Sequence, residues 1–582
     1  MPTAPDTLIV LKACPKGYTR DQDKVCSPVD TLARFHGRLK ACGLDILQEI
    51  RRVDNGRLDI PVYFSVCGAE ARRVIGSRKQ MGKGASPEQS QASACMELVE
   101  RFSFFSFLEN PASFLTGDYA AMEAQGYPVL PLSTLLASVH DHRHSPAMLG
   151  ELLAGLPLQW VWARRLSDES AWLLPFSWFY AINEFNGPAA GNTIEEATLQ
   201  GICELVERHV CACISRERLA VPEIDPASIS GPVSRELLAK FQRNGIRLRL
   251  YDFSLDTGIP TVAALAWDPS TFPEKSELVF TAGTTPGVDK AVIRALTEVA
   301  QLAGDFNSGS NYVASALPKP ASLDEVAYLH SGKRVPVSAI ADLHRPDFLE
   351  EVRACAQVLA RQGLELYVVN TTHPGLQIPA VYAIMPGAHF RERAMGGNAV
   401  LFAAKLAATL LEGRALTRKL HAMQQLAPGE YALPFYRGRQ LLDAGEPEAA
   451  LPLLQEALAL SPLAEDLPYI HAYLGCCLRD LGRYEEAVAT LGQGLACDEE
   501  RPDMHNALGV CLYKLGRYAE ATRHFARAVA LNPASAIDYA NLALNQEKCG
   551  NLEEARRNYD IALSLDANIT FAREHLNVLE SR

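Results

Sequence analysis

A 34-residue period near the end of the chain restricts the fold more than any other feature. The blocks "LGRYEEA" (481–487), "LGRYAEA" (515–521) and "CGNLEEA" (549–555) align without gaps. Gly482, Gly516 and Gly550 recur at a spacing of 34, as do Leu474, Leu508 and Leu542, and Ala487, Ala521 and Ala555. "DAGEPEAA" (443–450) reads as a diverged earlier copy, 37 positions upstream, and "LNPASA" supplies the proline that ends such a unit. A glycine between two amphipathic stretches at this period predicts a helix pair per unit. Each pair buries its apolar face only against its neighbours, so three or four copies form a viable solenoid.

These blocks resemble the tetratricopeptide repeat, which implies an all-α solenoid over residues 430–582. That segment carries 14 Lys and Arg against 23 Asp and Glu, so it holds −9 of the chain's −12. The acidity is compatible with a plain solvated surface or with a concave groove for a basic peptide or protein segment. The net charge argues against a nucleic-acid binder that relies on a basic field. No apolar run reaches the length of a bilayer span, and the start lacks a secretion-signal pattern, so no membrane partner is expected. The 14 cysteines show no Cys-x-x-Cys pair and no zinc-ligand spacing, which fits a reducing cytoplasmic setting.

Residues 1–420 read as a mixed domain of the α+β (mixed α/β) class. Strand-like runs such as "IPVYFSVCG", "LQWVWARRL", "RLRLYDFSL", "IPTVAALAW", "LELYVVNTT" and "IPAVYAIMPG" interleave with helical stretches at 88–107, 194–215, 288–303 and 347–362. Neither a G-x-G-x-x-G nor a Walker phosphate loop is written into it.

Within this domain the phrase Glu-Leu-Val-Glu-Arg occurs twice, at 97–101 and 204–208. On a helix, Ser93, Glu97, Glu100 and Arg101 share a face, with Cys95, Leu98, Val99 and Phe102 as apolar flanks. The second copy follows a capping box, Thr193 with Glu196, and forms a ladder of Asn192, Glu196, Gln200, Glu204 and Arg208, with Glu207 beside it. "DKAVIRALTEVAQLAG" repeats the grammar through Arg294, Glu298 and Gln301. Like charges at this spacing repel unless a cation or an arginine offsets them. A surface ion-pair pattern and a shared Mg²⁺ site both remain open on periodicity alone; hard oxygen ligands favour Mg²⁺, which travels with phosphate.

"MGKGASPEQSQASACMELVER", "NGPAAGNTIEEATLQGICELVERH" and "AVIRALTEVAQ" resemble, in order and internal spacing, the three signature blocks of the YcaO family. The resemblance covers roughly residues 10–400. It implies ATP and Mg²⁺ as cofactors and ATP-dependent activation of a backbone amide in a peptide or protein substrate. It assigns Glu97, Glu100, Glu196, Glu204, Glu207 and Glu298 to Mg²⁺ or its water shell, and Ser93, Asn192, Arg294, Gln301 and Lys83 to the nucleotide. Arg208 becomes the phosphate ligand and, with Glu204 and Glu207, the catalytic set. Arg101 and Arg20 are secondary candidates, whereas Glu195 and Glu217, off the ladder, read as surface.

The chain departs from azoline-forming members, because it ends in "NVLESR" after the repeats instead of a proline-rich tail, and no leader-peptide-binding domain is fused to it. Those departures favour a thioamide-forming or methylthiolation-accessory type over a bacteriocin cyclodehydratase. Such a protein would work with a helper protein or sulfur donor, with the repeats docking a protein; a homodimer is compatible with this reading. The alternative is a non-catalytic nucleotide-binding adaptor that scaffolds another modifying enzyme.

Overall fold

A computed structural model of the chain describes residues 8–76, 80–309, 312, 316–391 and 398–581. The chain packs as two compact units that divide after residue 397. Residues 398–420, which the sequence placed with the upstream domain, pack with the second unit. There helix Ala399–Leu410 rests on Gly413–Leu426 and Ala432–Asp443.

Among its described residues the first unit holds three sheets, and each sheet carries one of the acidic helices. Strands Leu47–Arg52, Val62–Cys67 and Gln80–Lys83 form an antiparallel three-stranded sheet under helix Pro87–Glu109. A five-stranded sheet runs Val279–Thr284, Thr261–Trp267, Arg247–Asp252, Val221–Ile224 and His330–Val335, the last pair parallel, with helix Val288–Ala303 against its first two strands. The remaining sheet is antiparallel in order Leu115–Gly117, Leu158–Arg165, Tyr367–Asn370, Ala380–Ile384 and Pro188–Ala190, with Ala171–Pro175 also on Leu158–Arg165. Helix Ile194–Glu217 covers its Ala380–Ile384 and Pro188–Ala190 strands.

Sequence chemistry sets the ends of these helices. Ser86 caps the first by accepting from the Gln89 N–H at 3.2 Å, and Thr193 caps the second by accepting from the Glu196 N–H at 3.3 Å. The flanks buried as their apolar spacing predicts: Cys95, Leu98 and Val99 are fully buried on the first helix, and Ile202, Leu205 and Val206 on the second. Gly82 permits the tightest approach, since a Cβ there would collide with Ser90 O and Ala94 N on the helix above. Ser90 Oγ locks the same contact by donating to Pro61 O at 2.5 Å and to Gly82 O at 3.1 Å.

The second unit is helical throughout its described residues. Pairs 432–443 with 447–459, 467–480 with 484–497, 502–514 with 518–531 and 536–548 with 552–565 stack in order, followed by Thr570–Glu580. Gly445, Gly482, Gly516 and Gly550 occupy the turns at φ between 72° and 85°, a left-handed conformation that explains the glycine at each period. Ala487, Ala521 and Ala555 are fully buried where successive helices meet.

Candidate nucleotide and magnesium site

The three acidic helices converge on one cleft of about 1480 Å³, counting its open mouth. Its walls include Ser93, Glu97, Glu100 and Arg101 from the first helix, and Asn192, Glu196, Glu204 and Arg208 from the second helix and its cap. Arg294, Glu298 and Gln301 come from the third, with Lys83 from the strand below. Both Glu-Leu-Val-Glu-Arg copies therefore face the same space. Each makes the same internal pair: Arg101 Nη2 to Glu97 Oε1 and Arg208 Nη2 to Glu204 Oε1, both 3.5 Å.

Glu207 is placed differently from its ladder neighbours. It is buried beside the cleft wall, accepts from the Thr284 N–H at 3.2 Å and lies 3.7 Å from Arg294 Nε. Arg294 in turn donates from Nη1 to Gln200 Oε1 at 3.1 Å, so Glu207 and Gln200 orient it toward the cleft. Glu97 Oε2 accepts from the Met81 N–H at 3.1 Å, Gln301 Nε2 donates to Met81 O at 3.4 Å, and Lys83 pairs with Glu298. Glu196 accepts from the Val25 N–H at 2.9 Å and from Asn192 Nδ2, and lies 3.4 Å from Lys24 Nζ.

Several sequence expectations shift at this point. Glu195 is not surface: it is 6% exposed and accepts from the Lys12 N–H at 2.8 Å, because the segment holding Lys12 and Cys14 lies across the start of its helix. Glu217 is exposed. Arg20 is absent from the cleft wall, and its carbonyl instead accepts from Lys290 Nζ at 2.9 Å. Gln22, Lys24, Thr31, Gln89 and Thr297 line the cleft without having been singled out, and Gln200 joins them from the ladder. Gln200, and Gln89 four residues before Ser93, carried a signal in their four-residue steps, and Thr297 sits beside Glu298 on the third helix; Gln22, Lys24 and Thr31 arrive from a segment with no periodic relation to the acidic helices.

Charge is the dominant fact of the site. Burial raises the Glu97 carboxyl above its ordinary value, against the pull of Arg101 and Lys83. Glu100 is raised well above, by burial and then by Glu204, and Glu204 is raised by burial, with Glu207 reinforcing and Arg208 opposing. Lys83 is pushed down to about 7 by burial, with Arg294 adding to the shift. Carboxylates that resist ionisation beside one another are relieved by a divalent cation. Unused polar atoms point the same way: Gln301 Oε1, Gln89 Oε1 and Arg101 Nε are buried without a hydrogen-bond partner among the described residues. Carboxylate and amide oxygens with guanidinium groups beside them are the donor set for Mg²⁺ and phosphate. Thiolate ligation is disfavoured, since burial pushes Cys95 and Cys203 up to about 12.

Comparison with known proteins agrees. A family model described as YcaO cyclodehydratase, ATP- and Mg²⁺-binding, matches residues 81–389, just over half the chain, and a tetratricopeptide-repeat model matches residues 474–536. A protein of Methanothermobacter thermautotrophicus, itself uncharacterized, is 28% identical over 376 residues, covering 62% of this chain and 93% of its own. A protein from the tfuA 3′ region of Rhizobium leguminosarum bv. trifolii is 27% identical over 404 residues, covering 65% of this chain and 91% of its own. Among solved structures, a heterocyclase in complex with substrate and cofactor superposes with a TM-score of 0.53 at 23% identity. That match covers 66% of this chain and 54% of the heterocyclase, a likeness of fold. Among the described residues no helix is long and apolar enough to cross a membrane. With its signature blocks gathered on one cleft, the chain belongs to the YcaO family of ATP- and Mg²⁺-binding enzymes and carries tetratricopeptide repeats behind the YcaO domain.

Proposed function

We propose that the cleft activates a backbone amide of a peptide or protein at the expense of ATP, and that the repeats dock the protein bearing that amide or a partner that delivers it. The observation that carries this reading is the crowding of Glu97, Glu100 and Glu204 across one cleft with their ionisation held back. In this reading Glu97, Glu100 and Glu204 hold Mg²⁺ directly, and Glu196 and Glu298 hold its water shell. Glu207 orients Arg294 instead of touching the metal. Arg208, Arg101 and Lys83 present positive charge to the phosphates, and Ser93, Asn192 and Gln301 make neutral polar contacts. MgATP, when bound, supplies the phosphoryl group that turns an amide oxygen into a leaving group. The chain's own contribution is positioning and charge neutralisation: guanidinium groups preset on the Gln200 and Glu204 side chains reorganise little when phosphate arrives. A thioamide, an azoline or an amidine follows from the nucleophile that adds to the amide carbon, and a sulfur donor or helper protein would select among them.

The test is calorimetric binding of MgATP to the full chain, with ATP turnover measured in parallel, for wild type, Glu204→Gln and Arg208→Ala. Loss of binding in both variants supports the assignment. Equal binding by all three proteins would refute it, and binding that never leads to turnover with any peptide or partner would favour the adaptor reading.

A further inference from the structure

The segment around "DQDKVC" stands outside the acidic ladders, yet it contributes Gln22 and Lys24 to the wall of the cleft. Tyr18 and Lys24 pair across a tight turn, with the Tyr18 N–H donating to Lys24 O at 3.0 Å and the Lys24 N–H to Tyr18 O at 2.8 Å. The turn brings Gln22 and Lys24 to the cleft and aims the Val25 N–H at Glu196. At its base lies the Lys16 side chain, 1% exposed. Its ammonium is 2.7 Å from Asp23 Oδ2, 2.5 Å from Glu351 Oε1 and 3.3 Å from His344 Nδ1. Glu351, also 1% exposed, belongs to helix Phe348–Ala360, and Asp23 belongs to the turn itself.

Asp23, His344 and Glu351 bring ligand atoms within 4.8 Å of one another, close enough to surround a metal. The Lys16 ammonium already stands among those three atoms, so the chain itself supplies a cation that bridges the two carboxylates. Two carboxylates at such burial are tolerable only while that charge is present. We propose that Lys16 is a positioning residue for the nucleotide site: by bridging Asp23 to Glu351 it pins the 18–25 turn, so that Val25 holds Glu196 and Lys24 faces the cleft. The inference rests on the nucleotide reading of the cleft.

The test uses the full chain and a non-hydrolysable ATP analogue with Mg²⁺. Lys16→Met should weaken binding about tenfold while leaving turnover at saturating ATP within about twofold, because the lost interaction orients the site without entering the reaction. Hydrogen exchange of the amides in residues 17–26 should quicken in the same variant. Arg57→Met is the control. It breaks another shielded ion pair of this unit, Arg57 to Asp268 at 2.6 Å, and should lower thermal stability without moving the dissociation constant. If Lys16→Met does not fold, Asp23→Asn, which cuts the tie to the turn alone, is measured the same way. Unchanged affinity in these variants, while Glu204→Gln loses binding, overturns the proposal and leaves the nucleotide site standing. So does a rise in wild-type melting temperature with Zn²⁺ or Mn²⁺ that depends on His344, which would make the cluster a metal site. If Glu204→Gln binds as wild type does, the cleft reading itself has failed.

Discussion

Glu204→Gln should stabilise the empty protein and cripple the loaded one. The Glu204 carboxyl is raised by burial more than Arg208 lowers it, and it is itself the largest charge raising Glu100. An acid raised in the folded state contributes stability in full below its unfolded value and loses it as pH rises through the folded value. At pH 7 both groups therefore oppose folding. Removing one of two facing, poorly screened carboxylates should gain on the order of 1–2 kcal/mol. In a unit of this size that amounts to roughly 1–3 °C in melting temperature. The gain should shrink as pH falls toward about 4.5, because protons then neutralise the raised wild-type carboxyls. Ligand acts in the opposite direction: at about a hundred times Kd, Mg-nucleotide stabilises wild type by ~2.7 kcal/mol, and the variant should lose most of that shift. Scanning fluorimetry of the full chain in chelator and in Mg²⁺ with a non-hydrolysable analogue, at both pH values, separates the two effects. A variant that melts below wild type in chelator at pH 7, or that keeps the full ligand shift, refutes the reasoning.

Lys83, pushed down to about 7, loses its charge in the empty site as pH rises through that value. MgATP affinity should accordingly fall between pH 7 and 9 with proton uptake on binding, and stay flat in Lys83→Met, as titration calorimetry in two buffers would show. Gly82→Ala forces a methyl into Ser90 O and Ala94 N, so the strand carrying Lys83 must shift; a loss of about 1–3 kcal/mol in a denaturant melt should accompany weaker nucleotide binding. In the repeats, Phe525 is 1% exposed and its ring lies against Gly509, so Phe525→Ala should cost about 3–5 kcal/mol and reduce the helical circular dichroism of neighbouring repeats too.

Local grammar made much of this molecule legible. The glycine period marked the turns at Gly482, Gly516 and Gly550 because only glycine adopts their φ without strain. Thr193 with Glu196 marked the beginning of the second acidic helix, and the four-residue steps placed Glu97 with Arg101 and Glu204 with Arg208 on shared faces. What lies opposite a helix face is not a local property. Glu207 sits three residues from Glu204 on the same helix, yet Thr284 and Arg294 hold it beside the cleft wall. Lys24 reaches Glu196 across 172 positions of sequence. No period in either segment announces such a meeting. The boundary after residue 397 was hidden for a related reason: helix Ala399–Leu410 is apolar enough to suit either unit, and its packing partners decide.

The duplicated pentapeptide has a physical logic that neither copy has alone. A single Glu-x-x-Glu-Arg helix in water is an unremarkable ion-pair surface worth a few tenths of a kcal/mol. Two such helices, seated on different sheets and turned toward one cleft, set carboxylate against carboxylate at a depth where water screens them poorly. Arg101 and Arg208 hold their own glutamates only at 3.5 Å, long for a charge-assisted bond. If Mg²⁺ claims the carboxylate oxygens, those guanidinium groups are released at the moment phosphate needs them. The same residues that keep the empty cleft tolerable would then complete the loaded one, which makes it reasonable for the motif to bear acid and arginine together, twice.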